Sequence, residues 1–475
     1  MLDRIALVVH DRKPNWPSLN ALLGALTTDP DFDELEVRPA ASETQVVQHI
    51  AETIAARKLP VVAVSFTTPH LWRVKELLLR VRGLQDGRAD IASSGLWIAG
   101  GPHPTADPEG TLRLGFDVVV RGEGEATLLD LLRTAAASLG PADHRPVSLR
   151  ASELPLSAVH GIAFLGPSGE AVRTARREPI DLDVFPPFPV PELRARELPP
   201  AVTAGAGVTS AGRIRRIGPI EITRGCPFAC GFCQTSHLMG THPRHRSVET
   251  IARYAGVIAR RKPCDVRVIT PNAFSYGSPD GKTLNLPALE SLLAAMRETL
   301  GSDGRLFFGT FPSEVRPEHV TRDTVDLMKR YADNDYLIIG AQSGSEKVLE
   351  RCGRGHGVAE IFTAASLVTG AGLKAHVDFI FGLPGETPEE LKSTIRVMRE
   401  LAAMGALVHA HTFLPLPQTR FAKEPPGRVP GRLRPVMKEL ARTGVLYGTW
   451  RQQEVEAERI ASHLRDKHFR HPVSE

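Results

Sequence analysis

This chain of 475 residues lacks several features that mark particular classes of protein. No apolar run approaches the roughly 18 residues that a helix needs to span a bilayer. The sequence also opens without the basic segment and long apolar stretch of a secretory signal. We therefore expect a cytoplasmic protein with no membrane partner. Neither sign of charge dominates, because 58 Lys and Arg residues stand against 54 Asp and Glu residues. No dense basic block is present, so a nucleic-acid partner is not expected.

Cysteine is scarce, with five residues in the whole chain. An odd number of cysteines in a long chain argues against a disulfide framework. Cys264 is expected to be structural, and Cys352 is either structural or a reactive thiol. The other three cysteines fall within the eight residues 226–233. The remaining composition, 42% hydrophobic and 24% charged, is that of a globular protein with two or three domains.

Apolar segments alternate with helical patterns over residues 1–140. The predicted strands are Arg4–His10, Leu35–Arg38, Pro60–Phe66, Leu96–Gly101 and Phe116–Arg121. Apolar strands separated by helices are typical of a parallel sheet that is covered on both faces. The sequence therefore predicts an α/β domain with a doubly wound, flavodoxin-like sheet, whose ligand lies beyond the carboxyl ends of the strands.

The rest of the chain divides into three parts. Residues 141–215 are rich in Pro and Gly and predict a connector with a small hairpin near residues 161–169. Residues 216–420 return to strand–helix alternation and predict a partial (β/α)6, TIM-like barrel. Its strands are expected at Pro219–Thr223, Asp265–Thr270, Arg305–Thr310, Tyr336–Gly340, Ala375–Phe381 and Leu407–Phe413. Residues 421–475 open as coil and end in a helix near Gln452–Lys467, which makes them a helical extension.

The cysteine cluster directly follows the first barrel strand. Cys226, Cys230 and Cys233 have the spacing C-x3-C-x2-C on a loop that contains glycine. Thiolates are the natural ligands of iron–sulfur clusters, and three thiolates on a four-iron cluster leave one iron open to another ligand. Two alternatives remain. One is a structural zinc site whose fourth ligand is a nearby histidine, and the other is three buried core cysteines. The candidate histidines are His237, His242 and His245.

This loop resembles the signature of the radical S-adenosylmethionine (SAM) superfamily, with Phe232 in its aromatic position. The resemblance implies a [4Fe–4S] cluster on the three cysteines, which binds SAM and cleaves it reductively to a 5′-deoxyadenosyl radical. The segments Gly340–Ser345, Arg351–His356, Phe379–Thr387 and Pro415–Thr419 resemble later SAM-site segments of the family in the expected order. The SAM-binding residues that the resemblance implies are Phe232, Gln342, Ser343, Arg354 and Gly382.

One segment departs from the family pattern. Many members carry a Gly-Gly-Glu-type segment after the second strand for the SAM amino group, whereas this chain has Pro271–Tyr276. We expect Asn272 or Ser275 to supply the hydrogen bond instead.

The front domain resembles the cobalamin-binding domain that is fused to many radical SAM enzymes. The resemblance implies cobalamin contacts at strand ends that carry small or polar residues. These are Ser65, Thr67, Gly100, Gly101, His103, Gly122 and Glu123. The Asp-x-His-x-x-Gly segment that supplies an axial histidine in other cobalamin proteins is absent, and His10-Asp11 has the wrong order. The alternative is a domain that has lost its ligand and only supports the barrel.

Polar residues recur on one face of two predicted barrel strands. His376 and Asp378 share a parity on one strand, and His409 and His411 share a parity on another. Alternate residues of a barrel strand face the lumen, so these four are candidate catalytic residues that contact SAM or substrate or transfer protons. The alternative for each is a hydrogen bond satisfied within the core.

The resemblance predicts an enzyme with a [4Fe–4S] cluster, SAM and cobalamin, which transfers a methyl group to a small-molecule or peptide substrate. An electron donor such as flavodoxin or ferredoxin is the expected protein partner. Three alternatives stay open: a methylthiotransferase-like enzyme without working cobalamin, a cobalamin-dependent cyclase or rearrangement enzyme, and a non-enzymatic redox or cobalamin sensor.

Overall fold

The computed structural model describes two compact units. Its described residues are 2–10, 16–81, 95–139, 149, 151–190, 205–208, 214–260 and 263–469. The first unit is Met1–Ala204 and the second is Gly205–Glu475.

A seven-stranded sheet forms the centre of the first unit, in the order β2-β1-β3-β4-β5-β6-β7. Its strands are β1 (Ile5–His10), β2 (Glu36–Ala40), β3 (Leu59–Ser65), β4 (Leu96–Gly100), β5 (Val118–Val120), β6 (Ile162–Leu165) and β7 (Ala171–Arg173). The first five strands are parallel. Their order, 2-1-3-4-5, is that of the flavodoxin-like fold, so the predicted fold class and all five predicted strands are confirmed.

Helices cover both faces of this sheet. They are α1 (Trp16–Leu26), α2 (Glu43–Ala55), α3 (Leu71–Val81), α4 (Pro102–Ala106), α5 (Pro108–Arg113) and α6 (Glu125–Ser138). One core packs α1 and α6 against the sheet, through residues such as Leu23 and Leu128. A second core packs α2 and α3 against the other face, through residues such as Ile50 and Leu77. Every residue of β1 and β3 is buried because both faces are covered.

The predicted hairpin is present as β6 and β7, which pair antiparallel. It extends the first sheet, because β6 pairs antiparallel with the edge of β5 and places Phe164 opposite Val118. Pairing with β6 satisfies the backbone groups that the edge of β5 would otherwise expose. The Pro- and Gly-rich residues 191–204 of the predicted connector lie outside the described residues.

The second unit contains two four-stranded sheets, ordered β13-β12-β9-β8 and β14-β15-β16-β17, which are parallel except for the antiparallel pair of β8 and β9, and a two-stranded antiparallel sheet of β10 and β11. Its strands are β8 (Gly205–Val208), β9 (Ile214–Glu221), β10 (Thr223–Arg224), β11 (Arg244–His245), β12 (Cys264–Ile269), β13 (Gly304–Phe307), β14 (Tyr336–Gln342), β15 (Lys374–Phe381), β16 (Leu407–Thr412) and β17 (Leu446–Tyr447). The amide of Ile338 donates to the carbonyl of Gly309 at 2.9 Å, and Val315 bridges to Ile339, which joins the two sheets. The six predicted barrel strands are therefore all present, in a partial barrel.

Helices follow the barrel strands and form its outer layer. They are α7 (Thr235–Met239), α8 (Val248–Ala259), α9 (Leu286–Leu300), α10 (Arg322–Tyr331), α11 (Glu346–Cys352), α12 (Val358–Gly370), α13 (Pro388–Ala403), α14 (Arg434–Arg442) and α15 (Trp450–Phe469). Alternation along β15 and β16 divides helix-facing from lumen-facing residues, since Val377 and Val408 are 0% exposed whereas His376 and His409 are partly exposed.

The predicted terminal helix is present as α15. The sequence prediction of coil before it missed α14 and the two-residue strand β17, which adds parallel to the edge of β16. Among the described residues, every helix is too short or too polar to cross a membrane.

Candidate functional site

The cysteine loop leaves β10 through a turn that requires glycine. Gly225 has φ +90°, and a side chain there would collide with the carbonyl of His242. Three backbone hydrogen bonds then close the loop: Cys226 donates to Gly240 at 3.0 Å, Gly231 to Cys352 at 2.8 Å and Cys233 to Cys230 at 2.9 Å. Ala229 has φ +45°, a conformation that non-glycine residues rarely adopt. The loop is thus held in one shape by its backbone.

Hydrogen-bond donors of the protein lie near two of the three sulfur atoms. The backbone amide of Thr235 lies 3.5 Å from Cys233 Sγ, and Arg354 Nη1 lies 3.5 Å from Cys230 Sγ. Burial, together with the neighbouring cysteines, raises the pKa of Cys226 to about 11, and burial also raises the pKa of Cys233. Without a metal these two thiols are neutral at pH 7, and coordination to a metal deprotonates such thiols.

Two buried arginines lie beside the loop. Arg354 also donates through Nη2 to the Gly340 carbonyl at 2.5 Å, and Arg316 donates to the Arg354 carbonyl. The Arg316 guanidinium carbon lies 3.3 Å from the centroid of the Phe228 ring. Burial opposes the charge of Arg354, but Cys230 and Glu314 outweigh it and raise the pKa of Arg354. The loop therefore lies in a positive environment, which stabilises anionic sulfur.

Each of the three guanidinium nitrogens of Arg354 contacts a protein acceptor. Its third contact is from Nε to His356 Nε2, at 3.3 Å. Burial and the charge of Arg354 lower the pKa of His356 to about 3, so this ring is neutral and accepts the hydrogen bond. Burial and Cys230 raise the pKa of the neighbouring Cys352 to about 12, which favours its structural role over a reactive thiol.

The end of β14 carries backbone strain. Gln342 is buried and has φ +75°, and its side chain bonds to the carboxylate of Glu314. Strained non-glycine residues concentrate at ligand sites. Ser343 lies 3.3 Å from the Thr394 hydroxyl on α13, so its side chain anchors the strand end. A side chain at Gly382 would collide with the backbone of Arg428, so the glycine there is required by packing. Phe232 packs against an apolar cluster that includes Phe413 and Phe421.

Asn272 and Ser275 are occupied by protein partners. The amide nitrogen of Asn272 contacts His319 Nδ1 at 2.6 Å, and its side-chain oxygen accepts from the Arg316 amide at 3.2 Å. The Ser275 hydroxyl donates to the Asn272 carbonyl at 3.0 Å. Both residues thus hold the segment around Arg316 in place. Glu314 was not singled out from the sequence. It is an acidic residue of this segment and lies near Gln342 and Arg354.

Glu386 follows β15 and titrates abnormally. Its Oε2 atom is buried and has no hydrogen-bond partner among the described residues. Burial, with repulsion from Glu390, raises the pKa of Glu386 to about 7. When the pKa of a carboxyl group is higher in the folded than in the unfolded chain, the free energy of unfolding falls as the pH rises from the unfolded-state pKa to the folded-state pKa.

We expect Glu386→Gln to stabilise the protein at pH 8 but not at pH 4. The free energy of unfolding should rise by about 1–3 kcal/mol at pH 8, because the variant removes a buried charge. Urea unfolding of both proteins at the two pH values measures this difference. Glu389→Gln, at a carboxylate whose side chain is 77% exposed, is the matched control and should change little at either pH. An equal effect of Glu386→Gln at both pH values would contradict the assignment.

The four polar side chains of the predicted set lie on the lumen face of β15 and β16. His409 Nδ1 lies 3.0 Å from Asp378 Oδ1, and His411 Nε2 lies 3.2 Å from His409 Nδ1. His376 faces a different partner, because its Nδ1 lies 2.8 Å from the hydroxyl of Tyr447. Tyr447 also stacks on the His409 ring, with centroids 4.5 Å apart. The structure thus brings together Asp378, His409 and His411, and separates His376 from them.

In the first unit, the strand ends form an edge with two open glycines. Among the described residues, a Cβ at Gly122 would meet no atom within 4 Å, and one at Gly100 would meet only Val120, at 3.8 Å. Gly101 differs, since its φ is +93° and a Cβ would lie 2.7 Å from Ser65 Oγ, so packing requires glycine there. Gly100 and Gly122 thus leave room above the strand ends for a flat ligand.

The polar residues predicted at this edge serve the fold. His103 is 0% exposed, stacks on Phe66 and contacts the Thr68 hydroxyl at 3.1 Å. The Thr67 hydroxyl contacts His70 at 2.7 Å. Glu123 Oε2 accepts from the backbone amide of Ile180 at 2.9 Å. His10 ends β1 and is buried, and Asp11 lies outside the described residues.

Comparison with known proteins decides the family. The sequence matches the radical SAM superfamily over residues 220–398 and the B12 binding domain over residues 8–132. The chain contains a radical SAM domain preceded by a B12-binding domain. The radical SAM domain implies a [4Fe–4S] cluster and SAM, and the B12-binding domain implies cobalamin. The predicted family resemblance and cofactors are confirmed.

Several curated proteins are related to this radical SAM protein. It is 26% identical over 348 residues to the uncharacterized protein MK0932 of Methanopyrus kandleri, covering 70% of this chain and 63% of that protein. It is 26% identical to the uncharacterized methyltransferase PH0819 of Pyrococcus horikoshii, covering 64% of this chain and 58% of that protein. It is 29% identical to the ribosomal protein uS12 methylthiotransferase RimO of Frankia casuarinae, covering 66% of this chain and 58% of that protein. The chain spans about three-fifths of the length of these relatives.

Two solved structures share the fold. The first is the radical SAM methyltransferase TsrM from Kitasatospora setae, with cobalamin and a [4Fe–4S] cluster bound. It superimposes with a TM-score of 0.62 at 17% identity, and the match covers 88% of this chain and 77% of the TsrM chain. The second is the cobalamin-dependent radical SAM enzyme OxsB, with a TM-score of 0.60 at 18% identity. The match covers 83% of this chain and 51% of the OxsB chain.

The side chains fit the implied cofactors. The cysteine loop offers three sulfur donors beside a buried guanidinium, which suits an anionic cluster. The open glycines 100 and 122 suit a flat corrin that lies over the strand ends.

We expect Gly100→Val to abolish corrinoid binding without unfolding the first unit. The backbone of Gly100 is not left-handed and its Cβ position is open, so valine fits the strand but fills the space above it. The affinity for corrinoid should fall at least about 100-fold, which is about 2.7 kcal/mol of binding free energy, and the corrinoid absorbance of the purified protein should drop with it. Gly370→Val, at a glycine of the radical SAM domain whose Cβ position has no described atom within 4 Å, should bind corrinoid normally. Normal corrinoid content in Gly100→Val would show that the ligand does not lie over this edge.

Proposed function

We propose that this protein is a cobalamin-dependent radical SAM methyltransferase. In this proposal it transfers a methyl group from SAM, by way of cobalamin, to a carbon atom of a small molecule or peptide. The observation that carries the proposal is that one chain combines a three-cysteine loop beside buried arginines with a B12-binding domain whose strand ends keep two open glycines. The relationship to a protein described as a methyltransferase supports the same class of reaction.

The bound cofactors would supply the reductive cleavage of SAM and the carriage of a methyl group. The chain's own residues would hold and insulate them. Cys226, Cys230 and Cys233 hold the cluster, and Arg354 fixes Cys230 while its charge offsets that of the sulfur. The polar face of β15 and β16 lines the lumen beside the cluster loop, and its histidines are the groups available for proton transfer to or from a substrate.

Methylthio transfer is the second candidate, because RimO of Frankia casuarinae is a relative. A methylthiotransferase-like reaction would draw on an auxiliary iron–sulfur centre. Beyond the loop the sequence contains only Cys264 and Cys352. Both are buried, with exposures of 0% and 1%, on the separate elements β12 and α11. This cysteine content favours methyl transfer over methylthio transfer.

An electron donor is the partner that this proposal requires. Reductive cleavage of SAM consumes one electron, and the five cysteines leave no set of ligands for a second cluster. We therefore include a flavodoxin or ferredoxin as the donor in the proposal.

The products formed from SAM test this function. The anaerobically reconstituted protein is given reductant, SAM that carries a deuterated methyl group, and a metabolite extract from a host that lacks the gene. Methyl transfer predicts 5′-deoxyadenosine, S-adenosylhomocysteine and an extract component that gains the label. Methylthio transfer predicts a labelled product that also gains sulfur. The formation of 5′-deoxyadenosine without label transfer would favour a cyclase or rearrangement enzyme, and the absence of SAM cleavage with several reductants would favour a sensor.

A further inference from the structure

Three ligand-type atoms converge on the lumen face of the barrel. They belong to Asp378 on β15 and to His409 and His411 on β16, and they all lie within 4.8 Å of one another. The register pairs Asp378 with His409, and His411 follows two residues later on the same face. The side chains are 12%, 24% and 27% exposed, so an ion could reach them.

Hydrogen bonds alone satisfy this arrangement poorly. His409 Nδ1 lies 3.0 Å from Asp378 Oδ1 and 3.2 Å from His411 Nε2, while His411 Nε2 lies 3.9 Å from Asp378 Oδ2. A neutral imidazole has one N–H and one lone pair, so one proton on His409 Nδ1 cannot point at both neighbours. A cation at the centre would accept a lone pair from all three groups.

The separations match those of metal ligands. Bonds of about 2.1 Å to a divalent ion place ligand atoms about 3.0 Å apart in octahedral and about 3.4 Å apart in tetrahedral coordination. The two shortest separations in this cluster, 3.0 and 3.2 Å, lie in that interval. Two histidines and one carboxylate form the ligand set that holds divalent iron or zinc with coordination positions left open.

Three residues lie next to the cluster without belonging to the ligand set, namely His376, Tyr447 and Gln453. His376 and Tyr447 bond to each other, so they stand outside the ligand set. The amide of Gln453 on α15 lies beside His411, with Nε2 3.4 Å from Nδ1, and its Oε1 accepts from the Thr412 amide at 2.9 Å. Coordination through Nε2 would put the ring proton of His411 on Nδ1. A hydrogen bond from that proton to Gln453 requires the amide to turn so that Oε1, in place of Nε2, faces the ring.

We infer that Asp378, His409 and His411 form a binding site for a divalent first-row transition-metal ion, separate from the cysteine loop. The ligands are Asp378 Oδ1, His409 Nδ1 and His411 Nε2. The open positions face the lumen, where the ion would take oxygen or nitrogen donors of a substrate. The site stands on the geometry of the side chains and does not depend on methyl transfer being the reaction.

Zinc binding tests the site. The reconstituted full-length protein is dialysed against radioactive Zn²⁺ with a weak competing chelator, and zinc per chain is counted. We expect one zinc ion per chain in the wild type and in the Cys226→Ala, Cys230→Ala, Cys233→Ala triple variant. Asp378→Asn and His411→Ala should lose it. His376→Ala, which alters a histidine on the same strand face, should keep it.

X-ray absorption at the zinc edge adds a test that leaves the histidines unsubstituted. In the triple cysteine variant we expect nitrogen or oxygen ligands at about 2.0–2.1 Å, imidazole scattering and no sulfur at about 2.3 Å. Gln453→Leu should weaken zinc binding about 10- to 100-fold, as loss of an outer hydrogen bond does at metal sites. Loss of zinc in the triple cysteine variant, or unchanged zinc in Asp378→Asn and His411→Ala, would overturn the assignment.

Discussion

Replacement of Cys226, Cys230 and Cys233 by alanine is expected to remove the cluster and all SAM cleavage. Iron in the reconstituted protein should fall from about four atoms per chain to nearly none, and charge-transfer absorbance near ~400 nm should vanish. Cleavage of SAM to 5′-deoxyadenosine should fall below detection, since a barrel without the cluster offers no route for the electron. Iron analysis, absorption spectra and product chromatography under anaerobic conditions measure these three quantities.

Cys264→Ala is the matched control, because Cys264 begins β12 and is 0% exposed, outside the loop. It should keep the full iron content and the full rate of SAM cleavage, apart from a small loss of stability. Zinc in place of iron at the cysteine loop of the wild type would support the structural zinc site instead. Iron absorbance in the triple alanine variant would show that the ligands lie elsewhere.

Arg354→Ala is expected to slow SAM cleavage about 100-fold or more while the cluster still forms. The buried guanidinium contacts Cys230 Sγ, the Gly340 carbonyl and His356. Its removal takes a positive charge away from the cluster, which makes an added electron less stable. The midpoint potential of the cluster should therefore become more negative, and spectroelectrochemistry measures that shift together with iron content and cleavage rate.

Arg351→Ala tests whether the effect belongs to position 354. Arg351 lies three residues earlier, is 35% exposed and pairs with Glu390. Its loss should change the cleavage rate less than about 10-fold and leave the potential unchanged. Arg354→Lys keeps the positive charge but lacks the planar guanidinium group. It should therefore restore most of the midpoint potential of the cluster and only part of the rate of SAM cleavage. A wild-type potential in Arg354→Ala would contradict the electrostatic role.

The structure also changes the interpretation of individual residues. Arg354 was predicted from the family resemblance to bind SAM, and the structure adds contacts from its guanidinium to Cys230, Gly340 and His356. Asn272 or Ser275 was expected to bond the SAM amino group, and the structure shows the Asn272 side chain in contact with His319 and the backbone amide of Arg316. No local pattern predicts the distant partners, because Cys230 lies 124 positions from Arg354 and His319 lies 47 positions from Asn272.

The sequence by itself determined the two folds, the strand positions and the cysteine loop. Apolar periodicity and motif spacing are local properties, and each strand needed only its own residues to be recognised. The period of two along a strand also placed His376, Asp378, His409 and His411 on one face. Only the tertiary structure decided which side chains touch. The strand register places Asp378 next to His409 and His411. His376 contacts Tyr447 instead. The loop that carries Glu314 and Arg316 lies next to Arg354. These contacts depend on the packing of distant segments, which no local pattern encodes.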